Sequence, residues 1–474
     1  MTTWMLELRI ILQSRLAAGA LALLLALATL AVWNGYRAVA AQHQTLARLT
    51  AAHQEEQKAF AARYAHAKAG KEGKDGNGSG GGDAGSAAYY GFQLTWDAPS
   101  PLAFLAFGQR DLQPPALRVR MLGLHSQLYE SENFNPELVL LGKFDFAFVL
   151  IYLVPLFVIA LTHDWITAER ESGRLRLLMS LPLRQEGLWR RRAWLRYGLI
   201  MAAILLPLAA GLLFASAGIA QAAGVLAIAA LYTAFWIGAG VLVGALARSS
   251  TGAAATQLGL FVTLTLLLPT LANAAINRLV PVAKGVELAM AQRQEVHQGW
   301  DLPKAVVMEK FFRTHPEWSN TPPVIGRFHW KWYYAMHQVG DEAVSAQVAA
   351  YRQSMMQREA WTARTAWLVP AAAAQLALHR LADTDLQAQL AYRDRIAEFH
   401  GRLRHYFYPL VFEERRFGPD ELRNLPAFQP RPPSGSLPLP MLGALLLATC
   451  IIAGSCVLVL RGVSPLARGE ARTA

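Results

Sequence analysis

The 474-residue sequence predicts an all-α membrane protein with six transmembrane helices, cytoplasmic N and C termini, and two large, mainly helical extracytoplasmic segments. Three observations predict it. The chain is 54% hydrophobic and only 16% charged, against about 25% charged in a typical soluble domain. Six apolar runs approach the roughly 20 residues needed to cross a bilayer. The basic residues concentrate in short stretches that flank alternate ends of those runs.

The first run, Leu16–Trp33, reads "LAAGALALLLALATLAVW" and follows a short cytoplasmic start within 1–33. It is long, begins late and lacks a small-x-small site before Asn34 and Tyr36, so it reads as a membrane helix and not a cleaved signal peptide. Residues 34–143 form the first extracytoplasmic segment. It opens as a polar helix and continues into the Gly- and Ser-rich stretch 70–86, which has the composition of a flexible loop. The second run, Phe144–Thr162, holds Pro155 and is followed by a cytoplasmic loop, 163–196. The third to fifth runs are Tyr197–Ala217, Ala222–Ala247 and Thr251–Ala272. The second extracytoplasmic segment, 279–436, is rich in helix formers, notably over Asp341–Arg364 and Thr384–Phe407. Between these lies Ala366–Ala382, apolar but short, with Pro370; it reads as a buried or interfacial helix. A Pro-rich stretch leads extended chain into the last run, Leu437–Leu460, and a cytoplasmic tail, 461–474.

Charge orients this arrangement, because short cytoplasmic loops carry excess Lys and Arg. Residues 1–15, 163–196, the neighbourhood of Arg248 and the tail from Arg461 have net charges of +1, +4, +1 and +2. The far longer 34–142 and 279–437 have 0 and +3. The overall +12 therefore belongs mainly to membrane flanks, and nucleic acid is not an expected partner.

Signs of catalysis are few. No GxxxxGK[ST] phosphate loop, GxSxG elbow or HExxH pair is present. Cys450 and Cys456 lie six apart in the last run and read as small apolar residues. The histidines of the second segment, among them His297, His315, His329, His337, His379, His400 and His405, show no ligand spacing, and no metal site is expected. "RFHWKWYY", Arg327–Tyr334, reads as packing or an interfacial aromatic belt, with ligand stacking as the alternative. The runs contain almost no ionisable residue, which argues against a carrier with a charged relay. The fifth run and its end offer only Thr251, Gln257, Thr263, Thr265 and Asn273. These serve either as interhelical hydrogen-bonding groups or, for Gln257, Thr263 and Asn273, as the lining of a path.

The most informative stretch is "HDWITAERESGRLRLLMSLP", His163–Pro182. It reads as a short amphipathic helix under the membrane, interrupted near Gly173 and stopped by Pro182. Retention by positive charge accounts for its arginines, but not for Glu169 and Glu171, the glycine, or a leucine run ending in Ser-Leu-Pro. A partner surface accounts for all of them.

Here the sequence resembles the ABC-2-type permease family, in a branch with large extracytoplasmic inserts. That family has six helices with both ends inside and carries a Glu-Arg/Glu-x-Gly-[TS]-Leu-x-x-Leu-Leu-x-x-Pro stretch between the second and third. Glu169, Glu171, Gly173, Leu175, Leu178 and Pro182 fall in register, with Arg174 where Thr is common. The resemblance implies that this loop is a coupling helix seated on a separate cytosolic ATP-binding subunit, with Glu169, Glu171, Arg174 and Arg176 setting register and Leu177, Leu178 and Leu181 anchoring toward the membrane. It implies a non-catalytic permease of the bacterial inner membrane, paired with a second copy or a paralogue. No cofactor is expected in this chain; ATP and Mg belong to the partner ATPase. Membrane lipid and an envelope protein complete the expected partners. The alternative is an ATP-driven mechanotransmitter or scaffold acting on an envelope partner without solute transport.

Overall fold

The computed structural model describes residues 3–65, 82–129, 144–175, 185–282, 285–432 and 435–470. It is about 78% helical, and six helices are long and apolar enough to cross a membrane: Arg15–Tyr64, Phe146–Glu171, Leu188–Phe214, Ile219–Leu246, Ser250–Leu279 and Leu439–Leu460. The chain is built as a multi-pass membrane protein. The 70–86 stretch lies largely outside the described residues, as do 176–184.

The spans share one apolar core. The fourth is its centre, burying Val225, Ile228, Ala229, Tyr232 and Trp236 against the second, third and sixth. Close approach relies on small residues: a Cβ on Gly240 would lie 2.5 Å from Thr162 Oγ1, and one on Gly238 would lie 2.1 Å from Ile452. Between lipid-solvated helices such packing and interhelical hydrogen bonds are the main attraction. The second span shows how the two combine. Pro155 has no N–H, so the carbonyl of Ile151 four residues earlier loses its helical donor. The helix widens to a π turn over Val149–Leu153, and the buried Tyr232 hydroxyl donates to the Ile151 carbonyl at 3.0 Å. The fifth span makes the same adjustment, with a π turn at Val262–Leu267 ahead of Pro269.

Pro370–Leu381, the short segment whose environment the sequence left open, is buried with the spans. Ala373, Ala374, Ala377, Leu378 and Leu381 are fully enclosed in the bundle core, against the fourth and sixth spans. Its alanines allow the approach, and Arg380 at its end pairs with Glu359 at 2.9 Å.

The remaining helices build an extramembrane domain with its own core. The first span enters it without a break, since Arg15–Ala65 is one helix of 51 residues whose far end places Phe60 and Tyr64 in that core. The long helix Leu386–Phe412 supplies Phe399, Phe407 and Phe412. "RFHWKWYY" contributes Trp332 and Tyr334 to this core, with Trp330 and Tyr333 packed against it and Phe328 exposed. A small antiparallel hairpin, β1 (Gln93–Trp96) with β2 (Ala116–Val119), departs from the all-α expectation. Its strands are four residues each, too short for an alternating pattern to register. Polar groups are sealed in among the rings. Asp341 accepts the backbone N–H groups of Leu124 and His125 at the start of the Leu124–Tyr129 helix. The His400 Nε2 lies 2.8 Å from the Leu122 carbonyl and 3.1 Å from that of Arg120. Burial holds His400 down to about 3 and His125 and His337 to about 4, and pushes Asp341 up to about 6.

Candidate functional site: the junction after the second span

Within the second span the regular helix stops at Thr162, and the chain turns through Trp165 and Ile166 into a final short helix, Thr167–Glu171. Gly173 follows at φ +72, a left-handed geometry that glycine adopts without steric cost. The reversal sends Leu175 back into the bundle core, where it is buried. The expected interruption at Gly173 is therefore present, and the helix before it is five residues long.

Three consecutive charged residues tie this segment to different parts of the molecule. Arg170 donates to the carbonyls of Ala245, at 3.0 Å, and Ala247. These carbonyls end the fourth span, where a cation opposes the negative end of the helix dipole. Glu171 accepts the backbone N–H of Ser250 at 2.8 Å and its hydroxyl at 2.9 Å. Ser250 opens the fifth span, where an anion is favoured for the same reason. Together the two side chains clamp the turn between the fourth and fifth spans. Thr167 adds a hydroxyl contact to Ser250 at 3.0 Å.

Glu169 faces the other way. It pairs with Arg174 at 3.0 Å and with Arg192 at 3.3 Å, and Arg192 also pairs with Glu7 at 3.1 Å. The Arg192 side chain is only 14% exposed and those of Glu7 and Glu169 11% and 17%, so the network is shielded from solvent. It links the N-terminal helix Thr3–Gln13, the junction and the base of the third span. Cation–π contacts flank it, with Arg192 over Trp189 at 5.4 Å and Arg196 over Trp165 at 4.9 Å. Arg174, by contrast, is two-thirds exposed.

Of the residues expected at this site, Glu169 and Arg174 pair with each other, Glu171 binds Ser250 instead, Gly173 forms the reversal and Leu175 is buried in the bundle core. Leu178 and Pro182 lie outside the described residues, as do Arg176, Leu177 and Leu181. Sequence reasoning passed over Arg170, Arg192, Ser250 and Glu7. The usable signals were an arginine between two glutamates, Ser249–Ser250 as a helix start, and one acid in the apolar Thr3–Gln13. The residues expected along a path separate. Gln257 is buried, with its Oε1 3.2 Å from Thr162 and its Nε2 3.4 Å from the Gly240 carbonyl, an interhelical bridge. Thr263 and Asn273 stand exposed on the fifth span. Among the described residues no group of three or more His, Cys, Asp or Glu is placed to hold a metal ion.

What the arrangement can do is mechanical. A displacement of Thr167–Gly173 reaches the N-terminal helix, the third span and the fourth–fifth turn through direct bonds. No curated protein and no solved structure matches the chain. Residues 286–431, which build most of the extramembrane domain and the helix Pro370–Leu381, match the family model described as Domain of unknown function (DUF3526).

Proposed function

We propose that this chain is the transmembrane permease subunit of an ABC-2-type transporter of the bacterial inner membrane, moved by a separate cytosolic subunit that hydrolyses ATP. The observation that carries the reading is the junction. Its exposed side presents Arg174 to a partner, together with Glu171 where it stands exposed beside its bonds to Ser250, while its buried side is bonded to three other parts of the bundle. A partner pressing on Thr167–Gly173 would move Glu169 against Arg192 and Glu7, and Arg170 and Glu171 against the fourth–fifth turn. The path would form between two such chains or between this chain and a paralogue. The motif register of Glu169, Glu171, Gly173 and Leu175 and the positive charge of the 163–196 loop support a cytosolic position for the junction.

The separately cored extramembrane domain favours a second reading of the same machine, in which the ATP-driven movement is delivered to an envelope partner and no solute crosses.

The test reverses the two exposed charges. The double variant Glu171→Arg, Arg174→Glu, purified with wild-type helical content, is expected to lose co-purification with its ATPase and to lower permease-stimulated ATP turnover at least tenfold. Wild-type levels of both overturn the coupling role.

A further inference from the structure

Two cavities flank the end of the Pro370–Leu381 helix, one of about 200 Å³ and a smaller one of about 40 Å³, with Asp97, Asp383 and Asp385 shared between them. Most of the charge around them is internally matched. Asp97 pairs with Arg110 at 2.7 Å and with Arg395 at 2.5 Å, and Asp385 pairs with Arg380. Two opposite charges on the wall of the larger cavity are not matched. Asp383 and Arg431 both line it, and neither makes a side-chain hydrogen bond or ion pair with a described residue. Asp383 sits in left-handed backbone at φ +55. Burial, then the neighbouring Asp97 and Asp385, push its carboxyl above the usual range against the pull of Arg110 and Arg395. In the smaller cavity the Oε1 of Gln389 and the Nε of Arg110 are shut off from solvent without hydrogen-bond partners, and the Arg110 side chain is nine-tenths buried. Buried polar atoms left unpaired are uncommon in folded proteins and call for an explanation.

The place of the larger cavity narrows the ligand. Its wall includes Ser436, just before the sixth span begins at Leu439. Gln221, near the start of the fourth span, donates to the Gly435 carbonyl at 3.2 Å. The cavity thus lies level with the ends of the spans, where lipid headgroups meet water. Leu437 and Leu439 stand exposed beside it, 42% and 67%. A guanidinium fork suits phosphate, and a carboxylate without a partner suits an ammonium.

We propose that this cavity binds a phosphoethanolamine group, with its ammonium against Asp383 and its phosphate against Arg431, carried by a membrane lipid or by the free glycerol phosphodiester. The site requires only that the chain lies in a bilayer, so it stands apart from the permease reading.

Native mass spectrometry of the purified full-length chain tests it, with phosphatidylethanolamine and phosphatidylglycerol offered at equal concentration and glycerophosphoethanolamine offered separately. Phosphatidylethanolamine retained at least fivefold over phosphatidylglycerol identifies the lipid source. Binding of glycerophosphoethanolamine without a lipid preference identifies the free source. In either case Asp383→Asn and Arg431→Gln should each reduce the ethanolamine ligand at least fivefold. Arg431 is exposed, so its variant folds even if the other does not. Equal retention of the two lipids with no binding of the free diester overturns the proposal, as does a preference that survives both substitutions.

Discussion

In the membrane bundle the enclosed side chains are mostly Ala, Val, Leu and Ile, brought together by glycines at 238 and 240 and by single hydrogen bonds such as Tyr232 to Ile151. In the extramembrane domain, among the described residues, 14 of the 33 enclosed side chains are Phe, Tyr or Trp, against 8 of 49 in the bundle, and they pack beside the buried His400 and Asp341 and the half-buried His125 and His337. The difference follows from the solvent. Lipid is as apolar as leucine, so the bundle gains little from burying large apolar area and must gain from fit. Water rewards area, at about 25 cal/mol per Å², and large rings supply it. Water also lets a domain carry buried titratable groups, at a cost that depends on pH.

Acid should therefore separate the two regions, and this is the largest effect expected. His125, His337 and His400 stay neutral in the fold down to about 4, 4 and 3, while in the unfolded chain an imidazole protonates near 6.5. Asp341 runs the other way: raised to about 6, it takes up its proton in the fold before the unfolded chain does, and offsets one imidazole. Over these four groups, as pH falls from 6.5 to 4, the unfolded chain binds about two more protons than the fold. Stability is lost over that window at about 1.4 kcal/mol per pH unit for each of those protons. Limited proteolysis followed by peptide mapping should show the extramembrane helices cut near pH 4.5 while the spans stay protected. Simultaneous cleavage of both regions would break the contrast.

Phe399→Ala comes next. The ring is fully enclosed and packs edge-on to Phe428 at 5.5 Å. Its loss should cost the domain about 3–5 kcal/mol, read as a lower urea midpoint for the extramembrane tryptophan signal. A loss below about 1 kcal/mol would mean that area burial does not hold this domain.

The smallest effect belongs to the bundle. Tyr232→Phe removes one interhelical hydrogen bond and little volume, and should cost about 0.6–1.7 kcal/mol, measured by unfolding in mixed SDS micelles. A loss as large as that of Phe399→Ala would show the Ile151 carbonyl to be far more demanding than membrane hydrogen bonds usually are.

The two regions were also unequally legible in the sequence. The spans declare themselves, because an apolar window of bilayer length has few other uses. Their ends were harder to place: the first helix runs on to Ala65 and the fifth to Leu279, since polar helix and apolar helix share one backbone. Pro370–Leu381 carried an apolar pattern too short to distinguish burial in a bundle from rest at an interface, and only its neighbours decide. At the junction, Glu169, Glu171 and Gly173 were visible as a local pattern. Arg192 and Ser250 were not, because they sit 23 and 79 residues from the glutamates they bind. The cavity beside Asp383 draws on residues from 97 to 436, and no local pattern announces it.

The uninterrupted first helix has a mechanical consequence. At 1.5 Å per residue its 51 residues extend about 76 Å, more than twice the thickness of a hydrocarbon core. Glu7, just before its base, is bonded to Arg192, and its tip is embedded among Phe417 and the rings around it. A rod of that length has no joint at which to absorb a rotation. Tilting its foot by 10° would carry its tip about 13 Å sideways, so a small rearrangement at one membrane face becomes a large excursion far beyond the other.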